Sequence, residues 1–166
     1  SRKNVMKGVS VLVPAEFIPM PDSEIALRVP SHRKPKAVYS DRYYEIILTV
    51  NTATTEWAYK DLNLLKDFYK SNIQNMFVNL EFKQQGIKQV GKYQFVCFEF
   101  VGVVNSESKM IKRGKAVYNY IFYTVSQGEI LVFNFYCPHH LKDKWKNVAK
   151  KMMEGIQIDA LPDVAR

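Results

Sequence analysis

The stretch AVYNYIFYTVSQGEILVFNFYC, residues 116–137, reads as strand, tight turn, strand. Its β-branched and aromatic residues suit a pleated backbone, and Gly128 supplies the positive φ that a short hairpin turn requires. In the second strand Leu131, Phe133 and Phe135 fall on one side, while Ile130, Val132 and Tyr136 fall on the other. A strand with one face in water alternates apolar with polar residues. This one is apolar or aromatic on both faces, so its sheet needs cover on both. KYQFVCFEFVGVV, residues 92–104, has the same character. The expected fold class is therefore α/β (α+β): an antiparallel sheet covered by helices on both faces.

Two covering helices are legible on either side of these strands. Ala58, Leu62, Leu65, Tyr69, Ile73 and Met76 recur at three- and four-residue intervals, which predicts a helix over 54–76 with Thr54 or Thr55 as its cap and Glu56 near its positive end. After the last strand, CPHHLKDKWKNVAKK at 137–151 opens a second helix. There Leu141, Trp145, Val148, Ala149, Met152 and Ile156 fall on one stripe at 3.6 residues per turn. Pro138 suits the first turn and Gly155 the stop. Trp145 is the largest residue of this stripe and is expected to be its key packing group.

The remaining elements are shorter. GVSVLVP at 8–14 and YYEIILTVN at 43–51 read as strands, and NLEFKQQGIKQVG at 79–91 reads as a short strand with a turn at Gly86 or Gly91. The four prolines between residues 15 and 41 imply a long irregular connection with a turn of helix near 23–27. No linker divides the chain, so one domain over 1–166 is expected, with its core over about 8–158 and short loose ends.

Composition narrows the function classes. The chain has 47% apolar and 13% aromatic residues, enough for a substantial core and against disorder. Its net charge of +8 favours acidic partners. The basic residues are spread over three clusters: Arg28, Arg33, Lys34, Lys36 and Arg42, then Lys109, Lys112, Arg113 and Lys115, then Lys142 to Lys151. Nucleic acid is a disfavoured ligand on this scattered pattern, and an anionic surface is the related alternative. No run of about 18 apolar residues is present to span a membrane. The chain starts at Ser1 without a signal peptide, which leaves room for an upstream segment and leaves the compartment open.

Cys137, His139 and His140 form the densest group of chemically capable residues. As a metal site the group is short of ligands: His32 is the only other histidine and Cys97 the only other thiol. A structural zinc takes four such ligands and a catalytic one usually three. Adjacent histidines also point about 100° apart on a helix, and His139 with Asp143 alone is weak. As a nucleophile Cys137 shares the packed side of its strand with Leu131, Phe133 and Phe135, where burial makes a thiol inert. Both cysteines are expected as free buried thiols rather than a disulfide. Asp41, Glu45, Glu81 and Glu99 are isolated carboxylates, and no glycine spacing matches a phosphate-binding loop.

The order of elements resembles the PsbP-like superfamily: the VSVLVPAEFIPM opening, RVPSHRKPKAVYSDRYYEIILTV, a long helix, three consecutive strands and a helix starting after FNFYCP, over roughly residues 8–158. The resemblance implies a small α/β/α domain that binds other proteins. Members of that superfamily include a nuclear-transport factor that binds a small GTPase, a photosystem accessory subunit, bacterial periplasmic lipoproteins and secretion-system adaptors. No functional residue carries over.

The expected function is thus a non-catalytic protein-interaction module, with no catalytic residue, cofactor or metal assigned and a protein as partner. Its contact surfaces would be the loops Pro19–Lys36 and Asn105–Lys115, with Arg28, Arg33, Lys34, Lys36, Lys109, Lys112 and Arg113 as binding residues. The rivals are a small hydrolase or metal-dependent enzyme built on Cys137, His139 and His140, and an anionic-surface or nucleic-acid binder.

Overall fold

In a computed structural model of the chain, described over residues 1–29, 33–105 and 114–164, the strands are β1 (Arg2–Met6), β2 (Val9–Leu12), β3 (Ile18–Pro19), β4 (Ala37–Ser40), β5 (Ile47–Thr54), β6 (Phe77–Val90), β7 (Tyr93–Val104), β8 (Ala116–Ser126), β9 (Glu129–Pro138) and β10 (Gln157–Ile158). The helices are α1 (Asp22–Arg28), α2 (Leu62–Met76) and α3 (Lys142–Glu154). Seven strands form one antiparallel sheet in the order β3-β4-β5-β9-β8-β7-β6. A smaller antiparallel sheet, β1-β2-β10, packs with α3 over one face.

The β8–β9 hairpin is centred on Gln127 and Gly128, both at positive φ (52° and 78°), with Ser126 opposite Glu129. Two left-handed residues in a two-residue turn match the right-handed twist of the strands they join. From this hairpin the two faces diverge. Toward α3 point Tyr118, Tyr120, Phe122, Leu131, Phe133, Phe135 and Cys137, all buried, which meet Val9, Val11, Ala149, Met152, Met153 and Ile156. Toward α2 point Ile121, Tyr123, Val125 and Ile130, which meet Leu62, Leu65 and Ile73. A smaller cluster of Met20, Val29, Val38 and Ile47 lies under α1, which itself contributes Ile25. Each fully covered Leu, Ile or Phe contributes about 1.5–3 kcal/mol of transfer free energy. The fold class expected from the alternation is the one observed.

Several boundaries differ from the sequence reading. The strand expected from Tyr43 begins at Ile47, because Asp41 Oδ1 accepts the N–H groups of Glu45 and Ile46 (2.8 and 3.0 Å) and turns the chain, with Tyr44 at φ 59°. The proline-rich connection, expected to be irregular, contains β3 and β4 as well as α1. Thr54 ends a strand, and Thr55 Oγ1 accepts the Trp57 N–H (3.0 Å) before any helix starts. Asp61, whose Oδ2 accepts the Ala58 N–H (2.8 Å), then leads into α2 at Leu62. Residues 79–91 do not turn at Gly86: β6 runs 14 residues with two bulges and turns only after Val90.

Packing of α3 also corrects the stripe. Pro138 lies outside the helix, before a 3-10 turn at His139–Leu141. Trp145 is only half-buried, stacked obliquely against Phe17 with ring centroids 5.7 Å apart. The deeply buried residues are Ala149, Met152 and Met153, the last of which the 3.6-residue stripe omitted. A stripe drawn for one flat contact misses a residue that reaches the small sheet as well.

At the end of α3 the backbone passes close to β2. A Cβ built on Gly155 would lie 2.6–2.9 Å from the Leu12 side chain, Leu12 Cβ included. The φ of −89° suits any residue, so only space requires glycine here. Gly155→Ala is therefore expected to cost about 1–3 kcal/mol by overpacking. Urea unfolding should show a lower midpoint at unchanged slope.

Candidate functional site

The Cys137, His139 and His140 group does not converge. β9 carries Cys137 into the core at 1% exposure, against Tyr118 on the neighbouring strand, while both histidines are exposed on the 3-10 turn. Burial pushes the Cys137 thiol up to about 12. It pushes Cys97 up to about 11, slightly offset by a hydrogen bond with Tyr120. Both thiols are free, and β8 stands between their strands. Among the described residues no group of three or more His, Cys, Asp or Glu side chains is placed to hold a metal ion. His32 lies outside the described residues.

Of the isolated carboxylates, two share the α3-side face at the β6–β7 edge. Glu81 stands opposite Val101, and Glu99 stands opposite Gln84. Lys83 lies 2.5 Å from Glu81 and lowers its carboxyl. Glu99 accepts a hydrogen bond from the Tyr118 hydroxyl (2.5 Å), and burial together with that bond drives the Tyr118 phenol strongly up. Around Glu99 lies a polar cavity of about 160 Å³ lined by Gln84, Lys88, Tyr120, Lys146, Asn147 and Lys150. The Glu99 side chain thus accepts from the Tyr118 hydroxyl and shares its cavity with Lys88, Lys146 and Lys150, contacts that hold it in place.

The larger cavity is a groove of about 450 Å³ on the other side of α3. Its floor is apolar: Leu12, Val13 and Pro14 from the end of β2, and Trp145, Val148 and Met152 from one stripe of α3. Lys144, Lys151 and Glu16 rim it, and Lys144 Nζ lies 5.9 Å from the Trp145 ring centroid. Trp145 lines this groove while its ring also packs obliquely against Phe17. The helical stripe alone makes Trp145 a core residue; the segment after β2, Leu12 to Pro14, lines the groove beside it.

The basic loop residues are only partly drawn together. Arg28 ends α1, where its Nε donates to Glu24 Oε2 (2.6 Å) and its guanidinium lies 5.3 Å from the Tyr44 ring centroid. Lys34 pairs with Asp22 (3.1 Å), and Arg33, Lys34 and Lys36 are exposed. Lys109, Lys112 and Arg113 lie outside the described residues. Exposed pairs such as these contribute little to stability.

Comparison with solved structures decides the fold at this point. The chain superposes on the cyanobacterial PsbP of Synechocystis sp. PCC 6803 with a TM-score of 0.57 at 13% identity, over 95% of this chain and 91% of that one. The chain has the PsbP-like fold. It also resembles the Ran-binding protein Mog1p of Saccharomyces cerevisiae (TM-score 0.58, 14% identity, 91% and 90% of the two chains). LpqN of Mycobacterium tuberculosis, involved in cell envelope biogenesis, is similar as well (TM-score 0.57, 16% identity, 92% and 83%). No family model and no curated protein matches at the level of sequence. Identities this low carry the PsbP-like fold and nothing about which residues act.

In this PsbP-like domain the thiols are core groups, and their chemistry is testable. A thiol at about 12 is ionised in about one molecule in ten thousand at pH 8. Both cysteines should therefore react with an aromatic disulfide reagent only on unfolding, over a hundredfold more slowly in the native state. His139→Ala and His140→Ala, at exposed positions, should each change stability by less than about 0.5 kcal/mol.

Proposed function

We propose that the chain is a non-catalytic protein-interaction module whose α3 groove takes an acidic segment of a partner protein carrying one apolar anchor. The observation that carries this reading is the groove itself: an apolar floor that includes the partly buried Trp145, rimmed by Lys144 and Lys151 with Glu16 as the one acidic rim residue. Tryptophan in a pocket that can be fully desolvated is a frequent source of binding energy. Lysines at the rim of a chain with net charge +8 would speed encounter with acidic partners and reject basic ones. The Ran-binding activity named for one structural neighbour supports protein binding as a use of this fold. It does not identify the partner here.

The exposed segment with Arg33, Lys34 and Lys36, adjoining Arg28, is the proposed secondary contact. It carries the same sign of charge on a loop, where binding residues commonly collect. The hydrolase or metal-enzyme reading loses its support with the buried thiol. An anionic-surface binder would use the lysines without the apolar floor.

The test is selection of binders from a random peptide library. Wild-type chain should enrich peptides that combine acidic residues with one large apolar residue. Lys144→Glu with Lys151→Glu should weaken them at least tenfold and remove most of the salt dependence. Trp145→Ala should weaken them by about 2 kcal/mol or more, with the fold retained because the indole is only half-buried. Enriched peptides that lack either feature, or that bind the double variant equally well, would refute the proposal.

A further inference from the structure

On the opposite, α2-side face of the sheet the apolar pattern is interrupted. The register aligns Ile47, Tyr136 and Asn119 in one row across β5, β9 and β8, and Thr49, Asn134 and Ile121 in the next row on the same face. Asn51 follows Thr49 on that face, and its Nδ2 reaches Thr49 Oγ1 at 3.4 Å. These five polar residues form an island between the cluster under α1 and the cluster under α2. The sequence carries a signal for it: each asparagine is flanked by aromatics, in YNY at 118–120 and FNF at 133–135, and asparagine is depleted in strands.

Three atoms of the island are buried with no hydrogen-bond partner: Asn119 Nδ2, Asn134 Oδ1 and the Tyr136 hydroxyl. Asn119 is 4% exposed. Buried polar atoms are almost always paired, and apolar side chains of the same shape would be more stable in their place. The set is chemically complementary to one kind of guest. It offers an N–H donor, a carbonyl acceptor and a hydroxyl that does either. None of the five residues is charged, so an ionic guest would be desolvated here without a counter-charge.

The cover on one side is light. Tyr136 packs into the cluster under α1, yet α1 has no fully buried residue. Of its ion pairs, Arg28 with Glu24 is partly exposed, and Asp22 with Lys34 from beyond the helix is largely exposed. Segments held this way open at low cost.

We propose that Asn119, Asn134 and Tyr136 form a seat for a neutral amide, either a free small carboxamide or an amide within a polypeptide, admitted beside α1. The guest's carbonyl accepts from Asn119 Nδ2 and its N–H donates to Asn134 Oδ1, with the Tyr136 hydroxyl on either. This seat is on the other face from the α3 groove and stands or falls separately from it.

The experiment follows the side-chain amide resonances of the ¹⁵N-labelled chain during titration with acetamide, with the capped tripeptide acetyl-Gly-Asn-Gly-amide, and with acetate. Saturable shifts at Asn119 and Asn134 are expected with the amides and not with acetate. Tighter binding of the tripeptide would assign the guest to a polypeptide, and tighter binding of acetamide to a free small molecule. Tyr136→Phe keeps the ring and should weaken amide binding roughly three- to tenfold while the melting temperature holds or rises. Asn134→Leu should abolish binding. Absence of saturable shifts up to the solubility limit of the tripeptide would overturn the proposal. So would contacts from both asparagines to bound water that persist at full amide concentration, since the island would then be a hydration site only.

Discussion

Seven antiparallel strands expose two apolar faces at once, and every other feature of this molecule answers that constraint. A sheet covered on one side would leave Tyr123, Phe98 and Phe100, or else Phe95, Phe133 and Phe135, in water. The cover differs between faces. α3 and the three-stranded sheet close one side, with Met152, Met153 and Ile156 set on the aromatic floor. α2 closes much of the other, with Tyr69 stacked on Tyr123 at 4.0 Å between ring centroids. α1 adds a smaller and weaker lid.

The places where cover is incomplete are where the molecule has surface chemistry to offer. β6 is a long strand at the edge of the sheet among the described residues, and its two register shifts with Lys83 and Lys88 make it a poor template for further strands. α3 is narrower than the face it covers. One flank leaves the lysine-lined cavity at Glu99, and the other leaves the apolar groove at Trp145. Between the clusters under α1 and α2 the sheet carries buried asparagines rather than phenylalanines.

The same two-sided burial governs the reactive groups. Cys97 and Cys137 lie on the α3-side face among Tyr118, Tyr120 and Phe122, so their protonated forms are favoured. The histidines that follow Cys137 in sequence leave the sheet at Pro138, where the chain turns outward before α3. Proximity in sequence across the end of a strand is a poor guide to proximity of function, since one residue points inward and the next two belong to another element.

The sequence by itself determined the layered fold, because apolar residues on both alternating faces of 116–137 admit no other arrangement than a sheet covered twice, and two amphipathic stripes at 3.6-residue spacing supply the covers. It also located the hairpin through Gly128 and the end of α3 through Gly155. Element starts were less legible: side-chain hydrogen bonds at Asp41, Thr55 and Asp61 reset them, and local propensity does not contain those bonds. Only tertiary structure decided that Trp145 borders a groove, that Met153 rather than Trp145 is deeply buried, and that Asn119 and Asn134 fall on one face of neighbouring strands in successive rows. These facts depend on strand register and on the path of segments distant in sequence, and alternation along one strand constrains neither.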